Sequence, residues 1–141
     1  MIKSLLFGGA GTGTKSGDAG LMVMRVFAGL AMALAHGLKK VKDPSDTLGM
    51  AKGMGMPMAE VMGYLAIAGE FLGGILLALG LFTRPMAVFI GAIMFVAGFI
   101  FHGNDPFQKQ ELAFMYLVIM LVFAITGGGR FSVDSLITGK K

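Results

Sequence analysis

The chain of 141 residues contains no cysteine, which excludes structural disulfides, thiolate metal sites, cysteine-ligated clusters and dithiol redox chemistry by this chain acting alone. The compartment stays open, because a cysteine-free protein tolerates either redox poise. Charge is scarce too. Only 14% of the residues are Asp, Glu, Lys or Arg, far fewer than a water-soluble domain of this length needs on its surface. Histidine occurs twice, at His36 and His102, so a self-contained histidine metal site is incomplete and no bound metal is expected.

Apolar residues fill the space that charge leaves: they make up 55% of the chain, and the mean hydropathy is +0.78. The net charge of +4 could point to nucleic acid, but the lysines and arginines flank apolar runs, where membrane proteins carry them. A nucleic-acid partner is therefore not expected. The glycines at 8, 9, 11, 13 and 17 imitate a phosphate loop, yet no strand precedes them and no Gly-Lys-Ser/Thr follows. Residues 1–18 read as a surface segment, with Lys3 toward headgroups and Ile2, Leu5, Leu6 and Phe7 toward acyl chains. Their apolar run is too short for a cleavable signal.

Leu21–Leu38, Met62–Phe82, Met86–Phe101 and Leu112–Thr126 are near-continuous apolar runs close to the roughly 20 residues that a helix needs to cross a bilayer. They show no polar alternation, and a barrel needs many more of them, so helices are predicted. The fold expected is an all-α, integral membrane, four-helix antiparallel bundle over residues 19–134, followed by a polar tail over 135–141. Thr83-Arg84-Pro85 makes a tight turn between the second and third helices, and Asn104-Asp105-Pro106 a turn before the fourth. The long connection from Lys39 to Ala59 has room for a surface helix after Asp43-Pro44-Ser45. Gly69 and Gly73 form a small-residue step, and Gly91 and Gly98 lie a heptad apart, as helices that approach closely in lipid require. With four spans both termini share one face with Arg84. That face has slightly more lysine and arginine than the other, which places both termini in the cytoplasm by the positive-inside rule.

Ionisable groups inside a bilayer cost roughly 2.5–3.5 kcal/mol each on insertion scales and usually have partners. Glu70 lies near the middle of the second helix and Arg25 inside the first. Axial distances of roughly 18 Å and 9 Å from the same face make an Arg25–Glu70 pair geometrically reasonable. Such a pair could lock helix register, or Glu70 could be a proton- or ligand-linked carboxylate; both readings stay open. On the opposite face His36 and Lys39 end the first helix, His102 ends the third and Glu111 begins the fourth. Two imidazoles and a carboxylate at one mouth have the makings of a metal site or a proton relay, against the plainer reading of separate residues facing headgroups. Met50, Met54, Met56 and Met58 could serve as soft ligands for Cu(I), although 13 methionines across the chain explain them more cheaply.

The order and spacing of Arg25, His36-Gly37-Leu38-Lys39, Gly55-Met56-Pro57, Glu70-Phe71-Leu72-Gly73-Gly74, Leu79-Gly80-Leu81-Phe82-Thr83-Arg84, His102, Glu111 and Gly129-Arg130-Phe131-Ser132-Val133-Asp134 resemble the DoxX family of small membrane proteins. The resemblance runs from about Ala19 to Asp134. It implies a four-helix membrane bundle. Some relatives are subunits of a thiosulfate:quinone oxidoreductase, and others associate with sulfur-transfer and superoxide-defence proteins. With no cysteine to hold a covalent sulfur intermediate, the resemblance carries over as a class of chemistry only. The expectation is a membrane subunit of a redox system that binds a quinone or small anion within the bundle. Glu70, His102, His36 and Glu111 would handle protons, and Arg25, Lys39 and Arg84 would hold anionic charge. The alternative is a non-enzymatic scaffold of a larger complex, its buried charges locking helix packing. Expected partners are the lipid bilayer of the inner (plasma) membrane and other membrane or redox subunits, or a second copy of the chain. Whether the chain is an enzyme by itself is left open, and a quinone is the candidate cofactor.

Overall fold

The computed structural model describes residues 6–7 and 11–139. Among these the chain forms helices and no strands: α1 (Lys15–Lys42), the short α2 (Ser45–Gly53), α3 (Ala59–Leu79), α4 (Thr83–Phe101), α5 (Phe107–Thr126) and the short α6 (Val133–Thr138). Helices α1, α3, α4 and α5, of 19 to 28 residues, are long and apolar enough to span a bilayer. The protein is an all-α integral membrane bundle of four spans. Phe27, Val88, Val118 and Ile125 point outward, as a face toward the bilayer requires, while Met32, Leu77, Ile90, Met120 and Phe123 are sealed inside.

Local chemistry sets the ends of the helices. Helix α1 begins at Lys15 rather than Leu21 because the Thr14 hydroxyl accepts from the Gly17 amide at 3.1 Å, and Asp18 sits in the positive first turn. It runs on past Leu38 to Lys42 and stops where Pro44 forces Asp43 into extended backbone. Helix α3 ends at Leu79, short of Phe82, because Gly80 turns the chain at φ 72°. Of the N-terminal surface segment, Phe7 packs on Phe82 at 4.8 Å between ring centroids, at the α3–α4 turn. Ile2, Lys3 and Leu5 lie outside the described residues, as do Lys140 and Lys141.

Three spans carry a widened π-helical stretch: Met32–Gly37 in α1, Gly69–Gly73 in α3 and Val96–Phe101 in α4. Each holds one extra residue per turn, which rotates everything downstream by about 100° relative to a straight α-helix. The first two stretches meet. A Cβ at Gly37 would lie 2.6 Å from Phe71 Cα, and one at Gly29 would lie 2.5 Å from Gly74 O, so α1 and α3 cross backbone on backbone. The closest approach in the bundle is therefore at Gly29, Gly37 and Gly74. Gly69 instead faces the Phe89 and Ile93 side chains of α4, and Gly98 faces Phe114 of α5.

Candidate functional site

Glu70 sits in the π stretch of α3 with only 2% of its surface exposed. Its partner is Lys40, whose Nζ lies 2.6 Å from Oε1. The predicted Arg25–Glu70 pair does not form. Arg25 lies 15 residues before Lys40 on α1, roughly 22 Å along a helix axis, at the other end of the bundle. There its Nη2 donates to the Phe131 carbonyl at 2.6 Å, with the Asp134 carboxylate close enough to attract it. A nearer cation reaches Glu70 from the opposite end of α1. Lys39, expected to hold anionic charge, is left exposed, because the extra residue of the π stretch turns its neighbour Lys40 inward instead.

Cavities lie on either side of the pair. An outer groove of ≈ 380 Å³ opens between α2, α3 and α4, with Thr47, Met54, Met56, Met62 and Phe101 on its walls. An inner cavity of ≈ 170 Å³ lies among α1, α4 and α5, bounded by His36, Lys109 and Tyr116. Lys40, Glu70, Ala97 and His102 line both, so they form the partition. Buried polar atoms on that lining lack protein partners: Glu70 Oε2 has none, and neither has Thr47 Oγ1 on the groove wall. A buried acceptor without a donor is costly, so such an atom marks a place where a ligand or water completes the bonding.

His102 ends the π stretch of α4, its amide donating to Ala97 O at 3.0 Å. Its Nδ1 lies 2.7 Å from Asp105 Oδ2 in the following turn, and Gln110 Nε2 braces that turn by donating to the His102 and Asp105 carbonyls at 2.7 and 3.0 Å. The hydrogen bond with His102 holds the Asp105 carboxyl below its ordinary value, with Lys109 adding to the effect. Since the two ring nitrogens face opposite ways, an Nδ1 tied to Asp105 leaves Nε2 as the free atom of the imidazole. His36 stands edge-on to Tyr116 at 5.8 Å between ring centroids, on the wall of the inner cavity.

The structure thus brings Glu70, His36 and His102 onto one cavity and leaves the other expected members outside. Glu111 is exposed and lines neither chamber, because the buried stripe of α5 runs through Ala113, Tyr116, Met120 and Phe123 and Glu111 lies off it. Arg84 is at the far end, where its Nη2 donates to the Ile125 carbonyl at 2.8 Å and so satisfies the C-terminus of α5. Lys40, Thr47, Asp105 and Tyr116 were not singled out in the sequence. Lys40 looked like one of several interfacial lysines, and only the π register distinguishes it. Among the described residues no group of three or more His, Cys, Asp or Glu side chains is placed to hold a metal ion.

The far end is closed by the chain's own C-terminal segment. Asp134, 2% exposed, accepts from the Phe82 and Thr83 amides at 2.9 Å each, and its own amide donates to Gly80 O at 2.9 Å. It therefore caps α4 from more than fifty residues away. Gly80 is required there by its positive φ and also by space, since any Cβ would collide with the Arg25 guanidinium.

The DoxX family model matches residues 20–103, which carry Arg25, His36, Lys40, Glu70 and His102. The chain belongs to the DoxX family. This DoxX protein is 32% identical over 127 residues to the inner membrane protein YqjF of Escherichia coli (strain K12), covering 87% of this chain and 95% of that one. It is 29% identical over 129 residues to CatD of Bacillus subtilis (strain 168), covering 90% and 94%; that protein's name provisionally classes it as an oxidoreductase. It is also 35% identical over 112 residues to an uncharacterized protein of Haemophilus influenzae, covering 74% and 81%. No solved structure matches it.

Proposed function

We propose that this DoxX protein is a membrane subunit of a redox system and binds a quinone-type molecule beside Glu70. The observation that carries the reading is the Lys40–Glu70 pair between two cavities, its carboxylate buried and one carboxylate oxygen left unpartnered. An apolar groove with a few converging polar groups is the usual form of a small-molecule site. The thioethers and rings of Met54, Met56, Met62 and Phe101 suit an apolar ring, and the groove lies within a bundle that lipid surrounds. The provisional oxidoreductase name of CatD agrees with a redox role.

Interconversion of a quinone and its quinol moves two protons and two electrons. This chain's residues serve the protons. Glu70 holds one at the carboxylate, Lys40 orients the head group, and His102, fixed by Asp105, passes protons between the cavities and the surface turn. The electrons travel to or from a partner redox subunit. Titration calorimetry of the protein in nanodiscs with a short-chain ubiquinone is expected to show saturable binding that Glu70→Leu abolishes while the helical circular dichroism stays intact. Absence of binding, or binding indifferent to Glu70, would leave the scaffold reading in its place.

We further propose that the protein sits in the inner membrane, as the name of YqjF states for that relative, with the Arg25–Asp134 end in the cytoplasm. Because the chain has no cysteine, single cysteines at Lys52 and Arg130 report cleanly in spheroplasts. Lys52→Cys should react with an impermeant maleimide from outside, and Arg130→Cys only after lysis. Labelling of both from one side would overturn the arrangement.

A further inference from the structure

The groove contains a detail that fixes more than its shape. Glu70 Oε1 already accepts from the Lys40 ammonium at 2.6 Å, so the side chain is held as one half of an ion pair. A carboxylate in that state only accepts hydrogen bonds. Its second oxygen, Oε2, is buried, has no protein donor and belongs to a side chain that lines both chambers. A second unpartnered atom, Thr47 Oγ1, lies on the wall of the outer groove. Thr47 is 8% exposed and its hydroxyl both donates and accepts. The ligand that completes this lining must therefore bring a donor to Glu70 and a second polar group for Thr47, on a body apolar enough for the methionine wall.

The two redox forms of a quinone differ in this respect. The dione carries oxygens that only accept, and one placed against Glu70 Oε2 would set lone pair against lone pair. The diol carries hydroxyls, and one of them can donate to the carboxylate in a charge-assisted bond while the other engages Thr47. Resting on the quinone-type reading above, we propose that the site selects the redox state of its ligand: the outer groove binds the reduced, benzenediol form in preference to the dione, with Glu70 as the source of the selectivity and Thr47 as the second anchor. Tighter binding of the diol makes the bound quinone easier to reduce than the free one, so the protein stabilises the reduced form while its hydroxyl protons are still on the ring.

The test compares decylubiquinol, decylubiquinone and the dimethyl ether of decylubiquinol, titrated anaerobically into the full-length protein in nanodiscs. The ether has the ring and tail of the quinol without its donors. The quinol is expected to bind roughly ten- to a hundredfold more tightly than the dione, the range that a charge-assisted hydrogen bond supports, and the ether should bind no better than the dione. In Glu70→Gln the amide can present an N–H to the ligand, and the preference should fall to near parity or reverse. Thr47→Val should weaken the quinol several-fold and the ether by less. If the dione binds as well as the quinol, or the ether as well as the quinol, the selectivity is wrong while quinone binding stands. If none of the three binds, both fall. The comparison of the three ligands on the unaltered protein keeps the test decisive even where Glu70→Gln fails to fold, and a preference that survives a folded Glu70→Gln would remove Glu70 as its source.

Discussion

Replacing Lys40 by alanine should destabilise the protein by about 3 kcal/mol, the low end of what breaking a buried ion pair costs, because the Lys40 side chain is 31% exposed while that of Glu70 is 3% exposed. The loss comes less from the missing attraction than from a carboxylate stranded between helices. Changing both partners, Lys40→Met with Glu70→Gln, should recover most of it, since neither residue then carries a charge that lipid and packed side chains cannot solvate. Reversible unfolding in mixed micelles measures all three variants. A double variant as unstable as the sum of the singles would mean that the pair contributes nothing as a pair. The same unfolding series on Arg25→Met with Glu70→Gln should show plain additivity, because those residues lie at opposite ends of the bundle.

The second large effect is expected at the other end. Asp134→Ala removes two amide partners at the start of α4 and the nearest carboxylate to the buried Arg25 guanidinium. The cap alone is worth about 1–2 kcal/mol, and the lost attraction for the buried Arg25 guanidinium adds to that cost. Asp134→Asn retains one acceptor and should fall between the alanine variant and the parent. The readout that identifies the mechanism is local: hydrogen exchange should quicken at Phe82 and Thr83 and in the segment 127–138, while the Lys40–Glu70 region stays protected. Uniform loss of protection along the chain would instead make Asp134 a general core residue.

The spans were legible because each is a long apolar run, and the surface helix α2 because Asp43-Pro44-Ser45 and the glycines after it punctuate the chain. The inward placement of Glu70, His36 and His102 on one cavity was legible as well, since polar groups stand out against apolar helices. Their partners were harder to find. Straight-helix geometry assigns Lys39 to the interior and allows Arg25 to reach toward Glu70. It has no means of locating a π stretch, whose extra residue depends on tertiary packing, here the contact of Gly37 on Phe71. Asp134 was hidden for a different reason. Its role as the cap of α4 depends on the chain folding back after the glycines at 127–129, a long-range closure that no local pattern announces. Glu111 lies outside the cavities because its register on the fourth helix sets it off the buried stripe of Ala113, Tyr116 and Met120, which an apolar run alone does not reveal.

The π stretch in α1 bears on how the sequence can change. A single-residue deletion within Met32–Gly37 would remove the extra residue, so the helix would run straight and Lys40 would keep its inward place opposite Glu70. Relaxation of the same stretch to α-helix with its residue count unchanged would instead rotate its last turns by about 100° and pass the inward position from Lys40 to Lys39. An ammonium meets Glu70 in either case. The lysine doublet makes the counter-charge of the buried carboxylate redundant against a change of register at the widest turn.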